Sequence, residues 1–452
     1  MKICSLVFAT LLCGCVSNAP FRTADGTCTG HAYGCGYFYE EHPGYDLGFV
    51  EFSERGNDFS PQNTAKILEI IKDKEEKGDI AIIVFSHGWK HNASTQDGNV
   101  KSFEKALDFI ARSNAVGKKQ IVGIYVGWRG LSLHGLQLEN TTFWDRKAVA
   151  EEVGRGGVTE LLGDLEYISS KKKSNFMLTI GHSFGAAITL SALHDTLLER
   201  MKLAEQGRGL RTFGDGVVLL NPAIEANQAL LLKESSMRLG AKGEPLPPVM
   251  YVVSSRADIP TNMLFPIGRF LGMAGRWSQV DIERVYFERN YILNESQLDS
   301  QTIGNYALFR TGFMDDLLVD AETFEELASG VTAGHNRNIF MSSSILSLPN
   351  TKMKSWGFES YCSSTGGREV SRLPCFDHDP IDFISVPKSF IKNHNDIFNR
   401  NVIALLSTIV HRSLVQKDGR LREYCAAGDK FDFGKCYAYY SAYNQSVEYL
   451  PD

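Results

Sequence analysis

The chain has 452 residues, 43% of them apolar, with 47 basic and 53 acidic side chains and a formal net charge of −6. This length and apolar content suit one large core with elaborations, or two domains. No basic block or Arg-rich face stands out, which argues against nucleic acid as a partner. The N-terminus, "MKICSLVFATLLCGC", has one Lys, an apolar stretch from Ile3 to Leu12, then small residues. That stretch is too short to span a bilayer and has the form of a secretory signal.

The end of this signal, Leu12-Cys13-Gly14-Cys15, resembles the bacterial lipobox. The resemblance implies cleavage before Cys15, lipid on Cys15 and, with Val16 rather than Asp next, export to the outer membrane. An ordinary signal cut near Ala19 is the alternative. No later segment is long and apolar enough for a membrane helix, so the expected membrane partner is reached through lipid alone. Cys4, Cys13 and Cys15 belong to the signal region, and six cysteines remain: Cys28, Cys35, Cys362, Cys375, Cys425 and Cys436. They fall into three sequence-local pairs, as expected for short disulfide loops in an oxidising compartment, although fifteen pairings are formally possible. Zinc is not expected, since no Cys-x-x-Cys spacing occurs.

Residues 16–40 look like a tether with a Gly-rich knot around Cys28 and Cys35. "LGFVEFSERG" reads as a strand. Ser60-Pro61 is a cap and first-turn pair that opens a helix through Ile67, Leu68 and Ile71, ending near Gly78. The apolar run "DIAIIVFSHGW" is a strand, and "NVKSFEKALDFIARS" sets Val100, Phe103, Leu107 and Ile110 on one helical face. "KQIVGIYVGWRG" is a strand and "FWDRKAVAEEVGRGGVTELLGDLEYI" is helical in pattern. A strand over Phe176–Ile180 leads into Gly181-His182-Ser183-Phe184-Gly185 and a further helix. "GVVLLNPA" and "PVMYVVSSRAD" are buried strands. From Ile259 to about Asp382 the alternation breaks down, which predicts an insertion able to roof a site. "FISVPKSFI" restores a strand, "DIFNRNVIALLSTIVHRSL" a helix, and the tail around Cys425 and Cys436 a small cap.

Apolar strands alternating with amphipathic helices predict an α/β protein with a mostly parallel sheet covered on both faces. The domain reading is a signal over 1–14, a lipidated tether over 15–40, a core over 41–260, an insertion or lid over 261–382, and the end of the core with its capped tail over 383–452. Ligands of such sheets sit at the carboxyl ends of the strands, so candidate chemistry belongs just after strands.

Gly-x-Ser-x-Gly between a strand and a helix is the form of a nucleophile elbow centred on Ser183. A serine hydroxyl needs a base, a group to orient that base, and donors for an oxyanion. His394, after the last strand and before the last long helix, is the expected base. His335 and His378 are second choices, and His411, within a helix, is a poor one. Asp258, ending "VMYVVSSRAD", is the expected orienting acid and Glu225 the runner-up. The expected oxyanion donors are the backbone N–H groups of Phe184 and of Trp89, in the loop "FSHGWKHN" where Gly88 permits close approach. Asp377, His378, Asp379 and Asp382 could hold Ca²⁺ but read better as a polar turn, so no metal is expected. Gly154, Gly156 and Gly157 do not follow a strand, so no dinucleotide site and no cofactor are expected.

Ser183, Asp258 and His394 in that chain order, with a His-Gly loop on an earlier strand, resemble the α/β-hydrolase superfamily over most of residues 45–260 and 380–415. "FSHGWKHNAS", "GIYVGWRG", "FWDRK" and "GHSFG" also resemble a bacterial group of such hydrolases of largely unassigned substrate. The resemblance implies acyl transfer to Ser183, with His394 as base and acid, Asp258 orienting it, and water completing hydrolysis. The expected substrate is a small-molecule or lipid carboxylic ester; phospholipase and peptidase are alternatives on the same residues. A non-catalytic binding scaffold at the envelope is the alternative of a different class. The long stretch before the last strand leaves pocket shape open.

Overall fold

Strands that lie inside a parallel sheet are buried on both faces, so their sequences run apolar without a break. The computed structural model describes residues 14–15, 18–29, 36–113, 116–131, 133–134, 143–243, 246–258, 260–261, 265, 280–314, 358–360, 373–376 and 379–417. In chain order it begins with strands β1 (Gly14–Cys15), β2 (Ala24–Thr29), β3 (Tyr37–His42) and β4 (Tyr45–Phe52). Helix α1 (Pro61–Lys77), β5 (Ile80–Ser86), α2 (Gly98–Arg112), β6 (Gln120–Trp128) and β7 (Leu133–His134) follow. Next come α3 (Phe143–Val153), α4 (Thr159–Ser169), β8 (Phe176–His182), α5 (Phe184–Glu205), β9 (Gly216–Leu220), α6 (Leu230–Gly240) and β10 (Met250–Ser255). The remainder comprises a hairpin of β11 (Asp281–Tyr286) and β12 (Arg289–Asn294), short strands β13 (Gly312–Met314) and β14 (Phe358–Ser360), then β15 (Ile381–Val386) and a closing helix, Arg400–Lys417.

Eleven strands form one sheet in the order β14-β13-β15-β10-β9-β8-β5-β6-β4-β3-β2. The run from β13 to β4 is parallel throughout; β3 is antiparallel to β4, and β14 to β13. Alternate side chains feed two cores. From β5, Ile80, Ile82 and Val84 pack into one, and Ala81, Ile83 and Phe85 into the other. Helices α1, α4, α5 and α6 cover the first face; α2 and the closing helix cover the second. Each fully buried Ile or Val contributes roughly 1.5–3 kcal/mol over its exposed state, which is why the central strands tolerate so few polar residues. The chain leaves β5 for one face through α2 and leaves the neighbouring β8 for the other through α5. This reversal opens a crevice at the carboxyl ends of β5 and β8, the place where α/β sheets hold ligands.

Three expectations change. The helical pattern over 143–168 is two helices, broken at Gly154–Val158, where the Gly157 N–H turns aside to donate to the Gly56 carbonyl at 2.7 Å. The segment read as a tether contributes β2 and β3 to the sheet. It is fixed by Arg22, which is 2% exposed, donates to Glu40 and to the Ala93 carbonyl, and lies 3.6 Å from the Phe49 ring centre. The described parts of 261–382 widen the sheet through β13 and β14 and lay the hairpin against α6, where Tyr286 donates to Glu234 at 2.6 Å. Local sequence holds no signal for these distant partners. Ser60 does precede α1, but its side chain makes no cap bond.

Cys375 is buried and disulfide-bonded. Cys28 lies in β2, whereas Cys35, Cys362, Cys425 and Cys436 fall outside the described residues. No helix among the described residues is long and apolar enough to cross a membrane.

Candidate active site

Ser183 occupies the corner between β8 and α5 with φ 56° and ψ −117°, a conformation L-residues rarely hold. Two glycines permit that corner. A Cβ on Gly185 would stand 1.9 Å from the Ser86 carbonyl oxygen, and one on Gly181 would stand 2.6 Å from the Ala186 Cα. The β8–α5 corner therefore presses directly on the end of β5. The side chain of Ser183 is carried above the sheet edge and the residue is 2% exposed.

Ser183 Oγ donates to His394 Nε2 at 2.6 Å, and His394 Nδ1 donates to Asp258 at 2.9 Å to each carboxylate oxygen. Asp258 is fully buried and also accepts from the Thr261 hydroxyl at 2.6 Å. The Asn305 amide donates in turn to Thr261 Oγ1 at 3.0 Å. Three loops, each following a strand of the parallel sheet, thus meet at one point: after β8, after β10 and after β15. Asp258 thus accepts from the imidazole on one side and from the Thr261 hydroxyl and backbone N–H on the other, so its orientation is fixed from two sides.

Beside Ser183, Gly88 comes so close that a Cβ there would lie 2.8 Å from His182 Nδ1 and 3.0 Å from Ser183 Cβ. The N–H of Phe184 is the first of α5 and points out of the helix start, where the helix dipole favours negative charge. Among the described residues no acceptor takes the N–H of Phe184 or that of Trp89. The loop carrying Trp89 is braced at several points. The Trp128 N–H donates to His87 Nε2 at 3.1 Å, so the other ring nitrogen, Nδ1, carries the proton and donates to the Gly88 carbonyl at 2.9 Å. Burial drives the His87 imidazole from its ordinary 6.5 down to about 4, which keeps it in this neutral, two-way form. Further along, His91 is tied to Asp97 at the start of α2, and the Lys90 N–H donates to the Gly130 carbonyl at 3.1 Å. Trp89, Phe143 and Phe184 form an aromatic wall beside the serine, with ring centres 5.1 Å and 4.7 Å apart for the two pairs that Phe143 makes.

Two residues that the sequence reading did not single out hold His394. His182 Nε2 and Asn221 Nδ2 both donate to the His394 carbonyl, at 2.9 Å and 3.1 Å. Burial pushes His182 well below its ordinary range, so it donates as a neutral ring. Asn221, at φ 42°, directly follows β9 and accepts the Ser255 N–H at 2.9 Å through its Oδ1. Ser255 closes the network by donating to the Ile391 carbonyl at 2.7 Å. A sequence signal existed for Asn221: an Asn-Pro pair right after a buried strand, where Asn tolerates positive φ better than most residues.

The remaining sequence candidates separate from this centre. Glu225 is buried, but it pairs with Lys147 at 2.7 Å and accepts from Gln228 at 2.8 Å; it does not meet His394. His411 lies in the closing helix. His335, His378 and Asp377 fall outside the described residues. Asp379 forms a buried ion pair with Lys233 at 3.2 Å, and Thr311 donates to Asp382 at 3.4 Å, so both carboxylates already have protein partners.

Family models, curated proteins and solved structures offer no match to this chain. A hydroxyl bonded to a ring nitrogen, a carboxylate on the opposite nitrogen and two unclaimed amide donors nearby suit the attack of an oxygen nucleophile on a carbonyl carbon.

Proposed function

We propose that the protein is a serine hydrolase of the α/β-hydrolase type that cleaves carboxylic ester bonds, anchored to the bacterial outer membrane by lipid on Cys15. The observation that carries this reading is the unbroken hydrogen-bond chain Ser183–His394–Asp258 at the strand ends. In the first half-reaction His394 Nε2 takes the Ser183 proton as Oγ attacks the ester carbonyl. Asp258 holds the ring with Nδ1–H inward and stabilises the imidazolium. The N–H groups of Phe184 and Trp89 donate to the oxyanion, for which they need no reorganisation. His394 then protonates the departing alcohol as the C–O bond breaks, leaving an acyl group on Ser183. In the second half-reaction water gives a proton to His394, attacks the acyl carbon and releases the acid, and the proton returns to Ser183. The mechanism calls on no cofactor.

Turnover of p-nitrophenyl esters of increasing acyl length, measured beside Ser183→Ala, tests the reading. Turnover that disappears in the variant supports it, and the preferred length sorts esterase from lipase. Turnover that survives Ser183→Ala, or covalent capture of a fluorophosphonate at another residue, would overturn it.

A further inference from the structure

The first described residues after Cys15 lie on the same edge of the sheet as Ser183. Asn18, Ala19 and Phe21 share a cavity of about 90 Å³ with Lys90, His91 and Leu131, so this strap touches the loop that carries Trp89. The strap is fastened by buried groups. The Glu51 carboxylate, at the end of β4, accepts the Phe21 N–H at 2.8 Å and the Arg22 N–H at 2.7 Å. The Arg22 side chain reaches the Ala93 carbonyl, again in the loop after β5.

Chain length then fixes where an anchor at Cys15 can be. Cys15 and Asn18 are three residues apart, which spans at most about 11 Å. The backbone of β1 also pairs with β7, with Cys15 opposite Leu133. Leu133 is two residues, at most about 7 Å of chain, beyond the Leu131 that lines the cavity. The chain-length limit from Asn18 holds after cleavage as well, and it keeps Cys15 at the carboxyl edge of the sheet, with the amino edge out of its reach. Phe21, 40% exposed, offers an aromatic ring to the outside of the strap.

We propose that lipid on Cys15 turns the Ser183 edge toward the bilayer, and that the substrates are long-chain carboxylic esters of lipids resident in that same membrane. The inference rests on the hydrolase reading above and deepens it. A body on a loose tether presents every face to the membrane in turn; a strap fastened at the carboxyl ends of the strands, to Glu51 and to the loop after β5, presents this one. Long-chain esters are scarce in water and concentrated in the bilayer, so an anchor at the active edge raises their effective concentration without any new contact.

The test uses the lipidated full chain in phosphatidylethanolamine vesicles carrying a fluorogenic long-chain ester, either in the same vesicles or in separate protein-free ones. A second form carries about 20 Gly and Ser residues inserted between residues 17 and 18, which adds roughly 25 Å of mean reach. After cleavage before Cys15 only one residue of β1 remains, so the strap is the principal fastening and the insertion frees the anchor from it. p-Nitrophenyl butyrate reports the water-soluble reaction in both forms. Expected is same-vesicle hydrolysis at least ten-fold faster than hydrolysis across vesicles, cut at least five-fold by the insertion, with butyrate turnover within two-fold. Unchanged same-vesicle hydrolysis in the inserted form overturns the inference and leaves the hydrolase reading intact. A Cys15 without lipid by mass spectrometry does the same. Failure of both forms on butyrate and on the vesicle ester overturns the two together.

Discussion

Asp258 and Glu225 are near twins in the sequence and opposites in the structure. Each carboxylate follows a strand, β10 and β9, and those strands are parallel neighbours. Both are buried. Asp258 meets an imidazole and a threonine hydroxyl, whereas Glu225 meets Lys147, itself also joined to Glu151. A carboxylate already neutralised by lysine has little left to stabilise an imidazolium; one paired to hydrogen-bond donors keeps its full charge for that purpose. Position after a strand makes a carboxylate available to the site, and the partner it finds there decides whether it joins His394 or braces the fold.

Under the proposed mechanism Ser183→Ala has the largest consequence for kinetics: it should lower kcat on esters by at least about 10⁵-fold while leaving the melting temperature close to wild type. If residual activity is higher, neither carboxylate belongs to a serine mechanism. Asp258→Asn should cost about 10⁴-fold in kcat, because the amide favours the wrong imidazole tautomer. Glu225→Gln should stay within about three-fold in kcat yet lose about 3 kcal/mol of stability, the low end for a broken buried pair since Glu151 remains on Lys147. Reversal of these two outcomes in steady-state kinetics and denaturant unfolding would exchange the roles of the two acids.

A smaller effect is expected where His394 is held by its backbone. Asn221→Ala should reduce kcat by about 10- to 100-fold, the cost of a small misplacement, with KM little changed; a shift in KM alone would place Asn221 on the substrate instead.

A last effect, on stability and not on turnover, concerns pH. His87 is held at about 4 in the folded chain, below its ordinary 6.5, so the unfolded state binds the extra proton. Its contribution is complete above about pH 6.5 and is lost as pH falls toward 4, by at most about 3 kcal/mol. His87→Asn should therefore flatten the decline of stability between pH 6.5 and 4 relative to wild type. Equal slopes would mean that the ring is protonated in the native loop.

Much of the fold was legible because parallel strands announce themselves as apolar runs. β5, β8 and β10 are buried along their whole length. The three residues of the hydrogen-bonded chain were legible because the strand-end rule leaves few positions to choose from. Partners distant in sequence leave no local mark. Arg22 looks like one more surface charge in a polar leader, yet it is buried against Glu40 and Phe49. Gly154–Val158 looks like helix, yet it bends to meet Gly56.

The alternation of strand and helix, the glycine-flanked corner at Ser183 and the positions of His394, Asp258 and Glu225 after strands are written into the sequence. These depend on periodicity, glycine sterics and order along the chain, all of which are local. Tertiary contacts bring Asp258 to His394 and Glu225 to Lys147, give His182 and Asn221 their hold on His394, and fasten residues 18–22 beside the Trp89 loop. Each of those outcomes is a contact between groups far apart in sequence, fixed when the two cores close on the sheet and bury polar groups that must then find the nearest partner.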